Sequence, residues 1–338
     1  MASPLIKISA MAIAAGIALV GCSSADNSTQ TADTASASAS SAATSTVTVE
    51  DNFGTVEITT PVQRVAATDN RTFEILDAWG VNVVAAPKTL VPATVQGIKG
   101  NEEIVDLGTH REPNLEALVA AEPDLIISGQ RFSQYYEDMK TLNPDVPIID
   151  LEPREGEPLV DELKRQVTEL GKIFGKEAEA KEMADALDAA IARAQEAYNG
   201  TDTVMAVNVS GGEVGYIAPS VGRTFGPVFD ILNLTPALEV EGASSNHEGD
   251  DISVEAIAGS NPNWIFVLDR DGATSAATEE GYTPALDVIA ASPALQNVAA
   301  VQDNRVVLAP ADTYTNESII TYTEIFNQIA DAFEQANS

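Results

Sequence analysis

The feature that most constrains this chain is a local pattern that occurs twice in the same register and ends both times in arginine. The first copy runs Asn114-Leu-Glu116-Ala-Leu-Val to Pro123-Asp-Leu-Ile-Ile-Ser-Gly-Gln-Arg131. The second runs Ser253-Val-Glu255-Ala-Ile-Ala to Pro262-Asn-Trp-Ile-Phe-Val-Leu-Asp-Arg270. Glutamate precedes proline by seven residues, and proline precedes arginine by eight, in both copies. A repeat held in register describes one supersecondary unit used twice, here a helix, a proline and a buried strand. Ligands of open α/β sheets sit beyond the carboxyl ends of strands, so the pattern predicts two similar lobes with one guanidinium at a strand end of each. Across a shared cleft, Arg131 and Arg270 would form a clamp for an anion. Any helix followed by a buried strand also looks like this, with its arginine a solvated loop residue; the shared offset favours the clamp.

The amino terminus reads as a targeting segment. Lys7 is followed by an apolar run, Ile8 to Val20, of signal-peptide length and too short to span a bilayer. Leu19-Val20-Gly21-Cys22 resembles a lipobox, whose cysteine receives a lipid such as palmitate, so 1–22 is expected to be a lipoprotein signal with Cys22 the anchor; the alternative is an ordinary signal peptide. Cys22 is the only cysteine, which excludes an internal disulfide and disfavours a cysteine metal site. Residues 23–46 are Ser, Thr, Ala, Asp and Asn with almost no large apolar side chain, a composition expected of a disordered tether. The head is then expected to be exported and lipid-anchored at the outer face of the cell membrane, or on the periplasmic side. Net charge is −33, from 18 basic and 51 acidic side chains. Such acidity argues against nucleic acid as a partner, and it makes each arginine matter individually.

After the tether the pattern alternates. A hairpin is expected over Thr46–Thr59, with its turn at Asp51-Asn-Phe-Gly54. Strands follow at 64–68, 81–86, 124–128 and 146–151, with helices at 72–79, 115–121 and 132–141. Helices at 159–174 and 177–198 come next, broken at Gly175. The second carries Met183, Leu187, Ala190, Ile191, Ala194 and Tyr198 on one face. Strand and helix then alternate again, with strands at 204–209, 264–268 and 305–308 and a final amphipathic helix at 317–335. The expected fold is α/β: two Rossmann-like lobes, 47–175 and 200–338, joined by one long rigid backbone helix at 176–199, with the ligand cleft between them and little room for hinge closure.

This arrangement resembles the helical-backbone substrate-binding proteins of ABC importers for iron–siderophores, haem and cobalamin. The resemblance covers essentially all of the chain after the tether. It rests on Arg64-Val-Ala-Ala-Thr-Asp, Glu74-Ile-Leu-Asp-Ala-Trp-Gly80, Glu116-Ala-Leu to Gly129 and Asn261 to Arg270. The subgroup most similar binds ferric catecholate siderophores and lines its cleft with three arginines, which implies Arg131, Arg223 (in Gly222-Arg-Thr-Phe-Gly226) and Arg270 here. Guanidinium suits that ligand, because it is permanently charged and offers a planar fork of donors to phenolate oxygens. Where a siderophore supplies only two catechols, the resemblance implies His247 and Tyr314 as direct Fe(III) ligands. The alternatives are a solvated loop histidine and a tyrosine that lines the cleft without touching metal. The resemblance also implies that Glu116 and Glu255 dock the head, one per lobe, on the permease; both also suit the start of a helix. Arg71 and Arg111 are weaker ligand-binding candidates.

Chemistry on the chain itself finds little support. Gly-x-Ser-x-Gly, His-Glu-x-x-His, Gly-x-x-x-x-Gly-Lys and Gly-x-Gly-x-x-Gly are all absent, and there are only two histidines. The expectation is a monomeric binding protein, not an enzyme, with no intrinsic cofactor. It would carry an Fe(III)–siderophore complex to an ABC permease and ATPase complex. A haem, ferric hydroxamate or cobalamin binder of the same fold, or a surface enzyme or adhesin lipoprotein, is the alternative.

Overall fold

The computed structural model describes residues 44–338. The expected signal segment, Cys22 and nearly all of the expected tether lie outside the described residues; the tether's last two positions, Ser45 and Thr46, already belong to the first strand.

That strand, β1 (Ser45–Asp51), pairs antiparallel with β2 (Gly54–Thr60). The alternating pattern of the two strands buries Val49 and Ile58, which stand opposite Val56 and Val47. The turn between them is pinned to the next layer, where Asn52 donates its backbone N–H to the Asp150 carbonyl at 2.9 Å and its side-chain amide to Asp150 Oδ1 at 3.0 Å. The first lobe then runs β3 (Val65–Ala67), α1 (Phe73–Ala78), β4 (Val83–Ala86), α2 (Gln96–Lys99), β5 (Val105–Asp106), α3 (Leu115–Ala120), β6 (Leu125–Ser128), α4 (Tyr136–Leu142) and β7 (Ile148–Asp150). Its five strands are all parallel, in the order β5-β4-β3-β6-β7. Two helices follow, α5 (Leu159–Phe174) and α6 (Glu177–Ala197). The second lobe contains β8 (Thr203–Ser210), β9 (Glu213–Ile217), α7 (Gly226–Leu232), β10 (Thr235–Pro236), α8 (Val254–Ser260), β11 (Trp264–Asp269), α9 (Ala285–Ala291), α10 (Ala299–Gln302), β12 (Val306–Leu308) and α11 (Ile319–Ala336). Its parallel strands run β10-β8-β11-β12, with β9 added antiparallel to β8.

Strands buried on both faces read as continuous apolar runs, and here each face has a different destination. In β3 and β6, Val65, Ala67, Leu125 and Ile127 point into one core, and Ala66 and Ile126 into another. In β8 and β11, Val204, Ala206, Trp264, Phe266 and Leu268 share that first core, while Met205, Val207, Ile265 and Val267 fill a third. The first core is therefore common to both lobes. It runs from the hairpin through Leu163, Val167 and Leu170 of α5, Leu187, Ala190 and Ala194 of α6, and Ile325, Phe326 and Phe333 of α11. Helix α5 ends at Gly175 in the left-handed region (φ 63°). Gly171 lets α6 close on it, since a Cβ there would lie 2.8 Å from the Ala180 methyl carbon. Of the helical face expected on α6, Leu187, Ala190 and Ala194 are buried, and Met183, Ile191 and Tyr198 pack at the edge of the core.

The sequence reading missed β5, β9 and β10. β5 and β10 have two residues each, too short for periodicity to register, and β9 follows a Gly211-Gly212 turn that was itself the available signal. The segment expected to be helical from Phe132 begins as a 3₁₀ turn, Gln130–Tyr135, before α4.

Trp79 belongs to the first lobe and Trp264 to the second, and both adjoin the shared core. Phe266→Ala should cost about 3–5 kcal/mol. In urea unfolding followed with either tryptophan replaced by Phe, both probes should shift together; a shift confined to Trp264 would show separate cores.

Candidate functional site

Parallel strands send their carboxyl ends to one edge, and the residues just past those ends build the site. Beyond β3 come Asn70 and Arg71, beyond β4 Lys88, beyond β6 Gln130 and Arg131, beyond β11 Arg270, and beyond β12 Tyr314 to Glu317; Arg223 is the exception, coming from the loop between the antiparallel β9 and α7. A cavity of about 820 Å³ lies between the lobes. Arg131, Arg223, Lys88, Lys99, Tyr314 and Glu317 contribute to its wall, together with the apolar Leu90, Val91 and Ala273. A largely apolar cavity with a few convergent charges is the usual form of a small-ligand site.

The two copies of the sequence repeat fold alike. Asn114 and Ser253 cap α3 and α8, accepting from the Ala117 and Ala256 amides at 3.0 and 3.2 Å. The residue before each proline, Glu122 or Asn261, is left-handed (φ 46° and 44°). The buried strand and the arginine follow. Glu116 and Glu255 both stand exposed in the first turns of the capped helices, one on each lobe.

Tyr314 is the centre around which the arginines gather. Arg131 donates from Nη2 to its hydroxyl at 3.3 Å. The Arg223 and Arg270 guanidinium carbons lie 4.3 and 5.2 Å from its ring centre, within cation–π reach. Burial pushes the Tyr314 phenol up, but Arg270, Arg223 and Arg131 outweigh it and hold the phenol below its ordinary value. Arg270 also donates from Nη1 to Ser210 Oγ at 2.9 Å and to Asp271 Oδ1 at 3.0 Å. It stands behind Tyr314, outside the cavity wall itself.

Two sequence candidates are placed elsewhere. His247 lies in the polar Gly242–Gly249 segment, its side chain 55% exposed and 3.7 Å from Glu248, and it is not on the cavity wall. Its backbone carbonyl, accepting from Asn208 Nδ2 at 3.0 Å, is what ties it to the fold. Arg111 is exposed, and only its neighbour Thr109 reaches the wall. Arg71 is largely buried under the cavity, paired with Glu317 at 3.4 Å and Glu152 at 3.6 Å.

Glu317, Lys88 and Lys99 were not singled out from the sequence. Lys88 sits two residues past a strand, the same signal that marked the arginines. Lys99 had no comparable mark; its ammonium donates to the Val91 carbonyl at 2.6 Å and the Lys88 carbonyl at 3.2 Å, and burial lowers its pKa. Under the cavity a polar seam joins the lobes. Asn70 Nδ2 donates to the Thr315 carbonyl at 2.8 Å, Asn316 Nδ2 and Ser318 Oγ donate to Glu74 Oε2 at 2.8 and 2.9 Å, and Thr94 bonds Asp312.

Residues 65–313 match the periplasmic binding protein family. The chain belongs to that family. Its members are solute-binding proteins rather than enzymes, and their two-lobed α/β fold with a helical link is the one seen here. The chain is 30% identical to the ferric-anguibactin-binding protein FatB of Vibrio anguillarum, over 85% of this chain and 88% of that one. It is 25% identical to the petrobactin-binding protein YclQ of Bacillus subtilis, over 81% and 83%. Among solved structures it is similar to the siderophore-binding protein BauB bound to two acinetobactin molecules and ferric iron, with a TM-score of 0.73, 25% identity, and 86% and 99% of the chains covered.

The Tyr314 environment can be read directly. In a spectrophotometric titration of the phenols, Tyr314→Phe should abolish a phenolate that forms below the ordinary tyrosine range near 10. An unchanged titration curve would show that the three arginines do not act on it.

Proposed function

We propose that this chain captures an anionic ferric siderophore with catecholate-type donors in the cavity between its lobes and presents it to an ABC importer. The carrying observation is the convergence of Arg131, Arg223 and Arg270, from three separate segments of the chain, on Tyr314 at the cavity wall. Phenolate oxygens on Fe(III) carry dense negative charge, and guanidinium groups in a partly apolar cavity meet it with charge-assisted hydrogen bonds and little competing water. The siderophore-binding relatives support the same ligand class. Iron arrives as cargo within the complex and is not a resident cofactor. A complex with two catechols leaves positions open on iron, and the depressed phenol of Tyr314 suits one of them. The exposed position of His247 gives it no comparable support.

In this reading the signal segment 1–22 directs export, a lipid on Cys22 anchors the chain, and the tether 23–46 lets the monomeric head stand off the outer face of the membrane. The lobes, 47–175 and 200–338, close the site from either side of the backbone helix 176–199. Glu116 and Glu255, exposed at matching places, dock the loaded head on the permease. Among the described residues no helix is long and apolar enough to cross a membrane, so the reading assigns membrane attachment to Cys22. The protein makes and breaks no bond in this role, which is not that of an enzyme.

Fluorescence titration with a ferric bis-catecholate, a ferric tris-catecholate, a ferric hydroxamate and haem tests the assignment. The catecholates should bind tightly. Arg131→Ala should weaken them by about 30-fold or more, as expected for losing one partner of a desolvated charge pair, and Arg270→Ala by a smaller factor. Preferential binding of haem or hydroxamate, or full affinity in Arg131→Ala, would overturn it.

A further inference from the structure

The arginines of the cleft are not equally free. Arg223 spends Nε on Glu317 Oε1 at 3.2 Å and Nη2 on Glu317 Oε2 at 3.0 Å, and the same Nη2 reaches the Tyr314 carbonyl at 2.9 Å. Only Nη1 is left for anything entering the cavity. From the other lobe, Arg71 Nη2 approaches the same carboxylate at 3.4 Å; within the second lobe, Thr224 Oγ1 donates to it at 2.6 Å. Glu317 thus accepts four bonds drawn from both lobes while its side chain is 5% exposed. Burial raises its pKa, but Arg223 and Arg71 outweigh that, so it carries its charge under the ligand cavity.

Nothing in the local fold requires a carboxylate there. Ser318 already caps α11 by accepting from the Thr321 amide at 3.1 Å. The contact is also made by strained backbone, since Glu317 and Thr224 both sit in the left-handed region (φ 54° and 61°). Non-glycine residues seldom hold that conformation, least of all a β-branched one, unless their surroundings impose it. A buried ion pair, moreover, is weak evidence for stability. The other cations of the wall are placed differently. Among the described residues, Arg131, Lys88 and Lys99 have no carboxylate within ion-pair distance.

We infer that Glu317 is a specificity-determining residue of the cleft, a built-in counter-charge that cancels one positive charge of the arginine floor and so limits the negative charge of the ferric complex that binds. The inference rests on the ligand class proposed above. Its physical basis is that a fixed buried charge acts on a ligand in proportion to the ligand's own charge, and does so strongly where water is excluded.

The test measures Kd for a monoanionic ferric bis-catecholate and a trianionic ferric tris-catecholate in the wild type, Glu317→Gln and Arg71→Gln, at one ionic strength. Glu317→Gln keeps the shape and adds one net positive charge. It should shift the affinity ratio toward the trianion by about tenfold. Arg71→Gln removes a cation that lies outside the cavity wall and leaves Glu317 less compensated, so it should shift the ratio the other way; it also decides the matter if Glu317→Gln does not fold. A purely structural role would change both affinities by the same factor, and an unmoved ratio overturns the inference alone. If the wild type binds neither anion, the proposed function falls and takes this inference with it.

Discussion

The arrangement of this protein depends on one constraint: a single apolar core is shared by two parallel sheets. Parallel strands can be buried on both faces only if helices or another layer cover each face. Here the inner face of each sheet packs on the same layer of α5, α6 and α11. Both sheets also direct the residues beyond their carboxyl ends into the cavity between them, and the polar seam from Asn70 to Thr315 and from Asn316 and Ser318 to Glu74 closes the floor. Rigid strand ends place charged groups more reproducibly than long free loops do, because each side chain inherits its position from a buried strand.

Electrostatics here works against the global field. The whole chain carries −33, yet Arg131, Arg223, Lys88 and Lys99 meet on one cavity wall. A net negative protein repels an anion at long range, where salt screens the field. At contact the local cations dominate, because a partly apolar wall lowers the effective dielectric and leaves their donors aimed at the ligand. Tyr314 shows the consequence within the protein itself, since its phenol is held down by three arginines despite its burial.

Much of this was legible in the chain. The helix–proline–strand repeat is encoded locally: Asn114 and Ser253 cap, Glu122 and Asn261 turn before proline, and Leu125 to Ser128 and Trp264 to Asp269 supply apolar runs. Arg131 and Arg270 could therefore be placed at strand ends, whereas Arg223 was indicated only by the resemblance to siderophore-binding proteins. The two-residue strands β5 and β10 carried no such signal, because their pairing is imposed by neighbours distant in sequence.

What the sequence alone determined was the local grammar: the alternation of strands and helices, the break at Gly175, and which residue types stand beyond each strand. Only the tertiary structure decided how those residues meet. It drew Glu317 onto Arg223 and Arg71, put Arg270 behind Tyr314, and left His247 outside the cavity wall. The physical reason is range. Strand and helix propensity act between residues a few positions apart, whereas a buried carboxylate finds its partners only when the core brings together segments as far apart as Arg71 and Glu317.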